Sequence, residues 1–248
     1  MKHSEYLARI GYEGPLAPSL ATLRALQEAH LLHVPFENLD IWAGKRIELA
    51  DSYDKIVRAG RGGFCYELNG LFAELLRGLG FAVQLVSARV FDPRHGFGPE
   101  FDHLALVVAF REARYLADVG FGEFTRAPLK LEVGPEQLDP HGRFVILRHD
   151  ETHLVVNKLT DSGAVPQYIF TETERRLSDF LPMCRYHQTS PASHFTQGRI
   201  CSVLTPTGRV TISNNRLLVR EGAEVTETLL GTEEAFCEAL RQYFHIIW

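Results

Sequence analysis

The sequence predicts an α+β chain in which helices come first, an antiparallel sheet or barrel follows, and a small mixed lobe closes the order. Two apolar stripes at helical spacing precede residue 80, β-rich runs fill residues 81–159, and a strand pair with a last helix lies beyond residue 199. No internal repeat interrupts that order.

In the first third, Leu20, Leu23, Leu26, Leu31 and Leu32 recur mostly at helical intervals, with Pro18 and Ser19 as a start signal. A second helix is marked by Leu68, Leu71, Phe72, Leu75, Leu76 and Leu79, with Gly80 suited to the left-handed position that follows it. Runs at 81–91, 103–110, 114–119, 143–147 and 153–159 then read as strands, separated by Gly, Pro and Asp turns. The more polar stretch 172–187 reads as a helix or connector ending at Ser190-Pro191. In the last lobe, 200–204 pairs with 210–213 across Pro206-Thr207-Gly208, and 217–219 adds a further strand. A helix after Thr232 buries Phe236, Leu240 and Phe244.

Composition narrows the class of protein. The 248 residues suffice for a large core without outside help, and 45% hydrophobic with 23% charged residues is ordinary for a globular chain. A formal charge of −5 with no basic cluster argues against nucleic acid or anionic lipid as a partner. Residues 1–14 lack the apolar core of a signal peptide, and no stretch suits a membrane span. Cys65, Cys184, Cys201 and Cys237 form no CxxC pair, so free thiols in a reducing cytoplasm are expected and no metal site is.

Chemistry concentrates at Cys65. A free cysteine is usually a small core residue, and Cys184, Cys201 and Cys237 are read that way. Cys65 differs because Arg61-Gly62-Gly63-Phe64 delivers it to the first turn of a helix, the glycines permitting unusual backbone angles. The helix dipole and a neighbouring imidazolium are expected to lower its pKa to about 3.5–7.5. A thiolate nucleophile also needs a base and a group to orient that base. His103 opens one strand and Asp118 ends the next, so a hairpin brings both to one end of the sheet. The triad alone leaves the chemistry open between acyl transfer, a cysteine hydrolase or transglutaminase-like reaction, and a silent ligand-binding homologue.

The motif Arg61-Gly62-Gly63-Phe64-Cys65-Tyr66-Glu67-Leu68-Asn69 resembles the nucleophile motif of the arylamine N-acetyltransferases. His33-Val34-Pro35-Phe36-Glu37-Asn38-Leu39 is similar to that family's N-terminal motif, His103-Leu104 to its histidine strand, and Asp118-Val119-Gly120-Phe121-Gly122 to its aspartate turn. Ser190-Pro191-Ala192-Ser193-His194-Phe195 resembles the entry to its third lobe. Tyr243-Phe244-His245-Ile246 resembles its final helix, with His245 where glycine is more usual. The chain stops soon after, so no contact through a longer C-terminal tail is expected.

The resemblance implies a helical bundle (1–82) carrying the nucleophile, a β-barrel (83–171) carrying His103 and Asp118, a connector (172–198) and an α/β lid (199–248) around a papain-like Cys-His-Asp core. It implies acetyl-CoA as donor co-substrate, arylamines or arylhydrazines as acceptors, and a ping-pong reaction through S-acetyl-Cys65, with the Cys65 amide as the first oxyanion donor. Phe121 matches a position lining the acceptor pocket, with Phe36, Val90 and Phe124 as expected neighbours. The loop 93–102, through Gly96 and Gly98, and the pair Asn214 and Asn215 are the expected CoA contacts. Glu123 is expected to repel a carboxylate on the acceptor, favouring neutral amines and hydrazines over aminobenzoates.

Overall fold

The computed structural model describes residues 1–248. The helical lobe holds α1 (His3–Arg9), α2 (Leu20–His33), a two-residue strand β1 (Phe36–Glu37), α3 (Leu39–Trp42) and α4 (Cys65–Gly78). Ser19 caps α2 by accepting the Thr22 amide, and Gly80 takes φ +92° beyond α4. The apolar stripe of α4, with Leu68, Leu71, Phe72, Leu75 and Leu76 buried, forms the centre of the first core together with Tyr6, Leu23 and Leu26.

The middle of the chain supplies β2 (Ala82–Asp92), β3 (Gly96–Phe97), β4 (His103–Ala109), β5 (Arg114–Ala117), β6 (Leu129–Lys130), β7 (Glu136–Asp139), β8 (Gly142–Arg148), β9 (His153–Thr160) and β10 (Gly163–Arg175). Eight of them pair antiparallel in the order β6-β5-β4-β2-β10-β9-β8-β7, and β3 pairs with the end of β2. A bridge from Val133, in the short segment between β6 and β7, to Ile146 on β8 leaves the sheet nearly closed into a barrel. Strand β4 is buried on both faces: Leu104, Leu106 and Val108 pack on the helical lobe, while Ala105 and Val107 face the barrel core. His103 shares the barrel-side face, one period before Ala105.

After α5 (Leu181–Thr189) come β11 (Ile200–Leu204), β12 (Gly208–Ser213), β13 (Arg216–Glu221), β14 (Glu224–Leu229) and α6 (Glu233–Phe244). The second sheet runs β1-β11-β12-β13-β14, so β1 from the helical lobe forms its edge, with Phe36 opposite Ser202. Its apolar face, including Cys201, Val210 and Ile212, packs on Phe236, Leu240 and Phe244 of α6. No helix is long and apolar enough to cross a membrane.

The structure corrects several sequence readings. Residues 172–175 continue β10 rather than starting a connector, because Glu174 and Arg175 pair with Val86 and Leu85 beyond a bulge; the boundary after residue 171 therefore cuts a strand. The lid is not confined to 199–248, since β1 completes its sheet. Neither α1 nor β14 was expected: α1 buries only Tyr6, and the residues of β14 are all exposed and leave no buried face to pattern.

Candidate active site

Cys65 is the first residue of α4, and the two motifs beneath it lock together. The Gly63 carbonyl accepts from the Glu37 amide at 2.9 Å, and Gly63 in turn donates to the Pro35 carbonyl at 3.3 Å. Neither Gly62 nor Gly63 has a positive φ, so the expected reason for glycine there is corrected. Close approach is what demands it: a Cβ on Gly62 would collide with the Pro35 carbonyl oxygen, and one on Gly63 would lie 2.8 Å from Glu67 Oε2.

A charged cluster holds that junction. Arg61 Nη2 reaches Glu37 Oε1 at 2.7 Å and Asp40 Oδ1 at 3.2 Å, while Lys55 Nζ lies 2.9 Å from Asp40 and 3.0 Å from Glu67. Glu67 also accepts the Phe64 amide at 3.1 Å, satisfying a donor at the start of α4. Burial pushes the Glu67 carboxyl up to about 7, against the pull of Lys55.

The structure brings His103 and Asp118 together over this helix. His103 Nε2 lies 2.7 Å from Asp118 Oδ2, and both side chains are buried. Asp118 Oδ1 accepts from Asn69 Nδ2 at 2.8 Å and from the Gly120 amide at 2.9 Å. Asn69 further donates to the Leu104 carbonyl at 2.7 Å and accepts from Val119 at 2.9 Å. Asn69 stands one turn after Cys65 on α4, a spacing that places both on one helix face and was the available signal for it. The His103 ring is boxed by Phe121 and Tyr168, with centroids at 5.2 and 5.4 Å.

Burial pushes the Cys65 thiol well up, and Asp102, Cys184 and Asp118 add to this, while a backbone hydrogen bond from Leu104 works the other way. The expected lowered pKa is therefore corrected for the resting thiol: a helix start does not offset a buried sulfur close to carboxylates. A thiolate here requires a partner that gains positive charge.

Cys65 and His103 share a cavity of about 640 Å³. Its walls come from the nucleophile loop, the aspartate turn, residues 194–200 and the polar face of β11 and β12. Gly120 presses so closely on the nucleophile that a Cβ there would lie 2.8 Å from Cys65 Cα.

A family model described as N-acetyltransferase matches residues 19–247. An arylamine N-acetyltransferase of Mycolicibacterium smegmatis is 38% identical over 88% of this chain and 82% of that protein. One from Escherichia coli K12 is 34% identical over 90% of this chain and 81% of its own length. The chain belongs to the arylamine N-acetyltransferase family. The fold is similar to that of the Mycobacterium marinum arylamine N-acetyltransferase solved in complex with CoA, with a TM-score of 0.91 at 31% identity, covering 99% of this chain and 93% of the other.

Within this N-acetyltransferase, Phe36, Val90 and Phe121 line the cavity. Phe124 does not; it is buried behind Phe121, against Phe144 and Tyr168, because the barrel core claims its ring. Of the expected CoA contacts only Asn214 reaches the wall, and its Oδ1 accepts the Arg199 amide at 3.1 Å. Asn215 lies off the cavity, where its carbonyl accepts Leu230 at 2.7 Å. Gly96 sits at an open turn with φ +77°, and Gly98 donates to the Val90 carbonyl at 2.8 Å; neither lines the cavity.

Glu123 lines the cavity, but its carboxylate lies 2.7 Å from Arg220 Nη1. Burial raises its pKa, yet Arg220, Lys158 and Arg209 outweigh that and lower it. The Glu123 charge expected to repel acceptor carboxylates is therefore countered by neighbouring cations, which offsets that repulsion. The sequence reading also missed Asn38, which donates to the carbonyls of Phe195 at 2.9 Å and Gly198 at 2.7 Å. It missed Asp102 as well, whose Oδ1 lies 3.1 Å from Nε2 of the buried His187.

Proposed function

We propose that this chain moves an acetyl group from acetyl-CoA to the nitrogen of an arylamine or arylhydrazine through S-acetyl-Cys65. The observation that carries this reading is the convergence of Cys65 and the His103–Asp118 pair on one cavity in a chain of this family.

With Nε2 of His103 directed at Asp118, Nδ1 is the ring atom left to receive the Cys65 proton. The sulfur attacks the thioester carbonyl, and the resulting oxyanion is met by the Cys65 amide at the helix start, where backbone donors are unpaired. Collapse expels the CoA sulfur, which takes the proton from His103. In the second half-reaction the acceptor nitrogen attacks acetyl-Cys65, His103 removes the nitrogen's proton, and the thiolate leaves. The buried sulfur, raised in the resting state, fits this scheme if proton transfer to His103 accompanies attack.

Intact mass after mixing with acetyl-CoA alone tests the reading. One acetyl group on the wild type and none on Cys65→Ala is the expected result. An unmodified protein that instead cleaves amides would overturn it.

A further inference from the structure

The third-lobe sheet carries positive charge that the reaction scheme does not use. Arg209 on β12 lies directly opposite Arg220 on β13, so both guanidiniums stand on one face. That face borders the cavity, because Arg209, Thr211 and Ser213 alternate with Val210 and Ile212, which point into the lobe core. Like charges opposite one another are unfavourable unless something neutralises them. Only Glu123 does so, and it is taken by Arg220 at 2.7 Å. Arg209, half-buried, instead donates to the Ser202 hydroxyl at 3.0 Å and has no carboxylate within ion-pair distance. Lys158 also acts on Glu123 and likewise lacks an ion-pair partner. One carboxylate thus answers to the charge of three cations, with Arg220 alone in direct contact. By contrast Arg199, the other arginine on the cavity wall, is neutralised by Glu233 at 2.7 Å.

We propose that Arg209, supported by Arg220 and Lys158 and by the Ser202 and Thr211 hydroxyls, forms a subsite for the phosphate groups of the acyl-CoA donor. Arg220 and Glu123 are exposed, which places this group at the solvent end of the cavity, while Cys65 is buried at the other. A donor that brings its thioester to Cys65 and leaves strongly hydrated phosphates near solvent matches that polarity. A carboxylate on a small acceptor ring is held nearer the sulfur, since the amine must touch the acetyl group. The guanidinium geometry suits phosphate oxygens, and the hydroxyls add neutral donors.

The inference rests on the transferase reading, and the test separates the two. Steady-state kinetics compare wild type with Arg209→Gln and Arg209→Lys, using acetyl-CoA or p-nitrophenyl acetate, a donor without phosphate. Each donor is paired with a neutral arylhydrazine and with a carboxylate-bearing arylamine. Loss of a charge-assisted contact is expected to raise the KM for acetyl-CoA by about tenfold or more in Arg209→Gln. The kcat and the phenyl-ester reaction stay unchanged, and Arg209→Lys recovers part of the affinity. Equal loss with both donors would assign Arg209 to the fold and overturn the subsite. An unchanged KM for acetyl-CoA, with a shift confined to the carboxylate-bearing acceptor, would also overturn it. If the wild type is acetylated by neither donor, the transferase reading itself fails; a normal wild type with an indistinguishable Arg209→Gln sinks the subsite alone.

Discussion

Asn69 Nδ2 stands 2.8 Å from Asp118 Oδ1, so the nucleophile's own helix holds the carboxylate that faces His103. Asn69 also accepts the Val119 amide, and both groups are buried. Asn69→Ala strands that amide and removes one of the donors on Asp118. A buried polar group left without its partner costs about 1–3 kcal/mol, and each kcal/mol lowers Tm by roughly 2–4 °C for a chain of this size. A fall in both Tm and the single-turnover acetylation rate is expected; an unchanged rate would show that Asp118 is held well enough without Asn69.

Asp118→Asn keeps the shape but removes the carboxylate that fixes the His103 tautomer. By analogy with other nucleophile–histidine–aspartate sites, the acylation rate drops by about 10³–10⁴. Stopped-flow measurement of CoA release reads this directly. A loss below about tenfold would mean that Phe121 and Tyr168 orient the ring on their own.

How much of this was legible in the sequence depended on whether the signal was local. Cys65 could be singled out because a glycine pair and an apolar helix stripe lie next to it in the chain. For Asn69 the spacing showed only that it shares a helix face with Cys65, not its role, since its partner is 49 residues away and a polar residue in a helix looks the same when it faces solvent. The period-two alternation of Arg209, Thr211 and Ser213 was readable on β12, but not that its polar side meets a cavity. That depends on how the aspartate turn and the second sheet sit against one another. Phe124 was misplaced for the converse reason: proximity in sequence to Phe121 does not decide which ring the barrel core takes. Strand β10 ran past its expected end because pairing with β2, rather than side-chain polarity, sets its length.

The Cys65 thiol is raised by burial and by neighbouring carboxylates, so its ionisation at neutral pH has to draw on His103. Alkylation by iodoacetamide follows the thiolate. In His103→Gln the neutral-pH alkylation rate is expected to fall by about 10² or more, and its inflection to move above the ordinary thiol range. A profile unchanged by the substitution would show that the helix start alone supports the thiolate.

Gly62→Ala tests whether close approach governs the nucleophile loop. The added Cβ meets the Pro35 backbone carbonyl, which no rotamer change can relieve. Overpacking of this kind costs about 1–3 kcal/mol and shifts α4 relative to β1. A lower Tm with slower acetylation is expected. Full retention of both would mean that the His33–Leu39 motif does not set the position of Cys65.

Glu67 makes the cluster beneath the nucleophile pH-dependent. Its carboxyl is pushed up by burial to about 7, against an ordinary value of 4.5, so between those values the folded chain holds a proton that the unfolded chain has lost. Stability depends on pH through the difference in bound protons. A raised acid therefore contributes stability that is fully present below about 4.5 and is lost as pH rises through about 7. Glu67→Gln cannot titrate and keeps an acceptor for the Phe64 amide. Urea unfolding at pH 5 and pH 8 is expected to show a smaller stability difference in the variant than in the wild type. An equal or larger difference in the variant would place the titration elsewhere, because Asp40, whose pKa is lowered, works in the opposite direction and at lower pH.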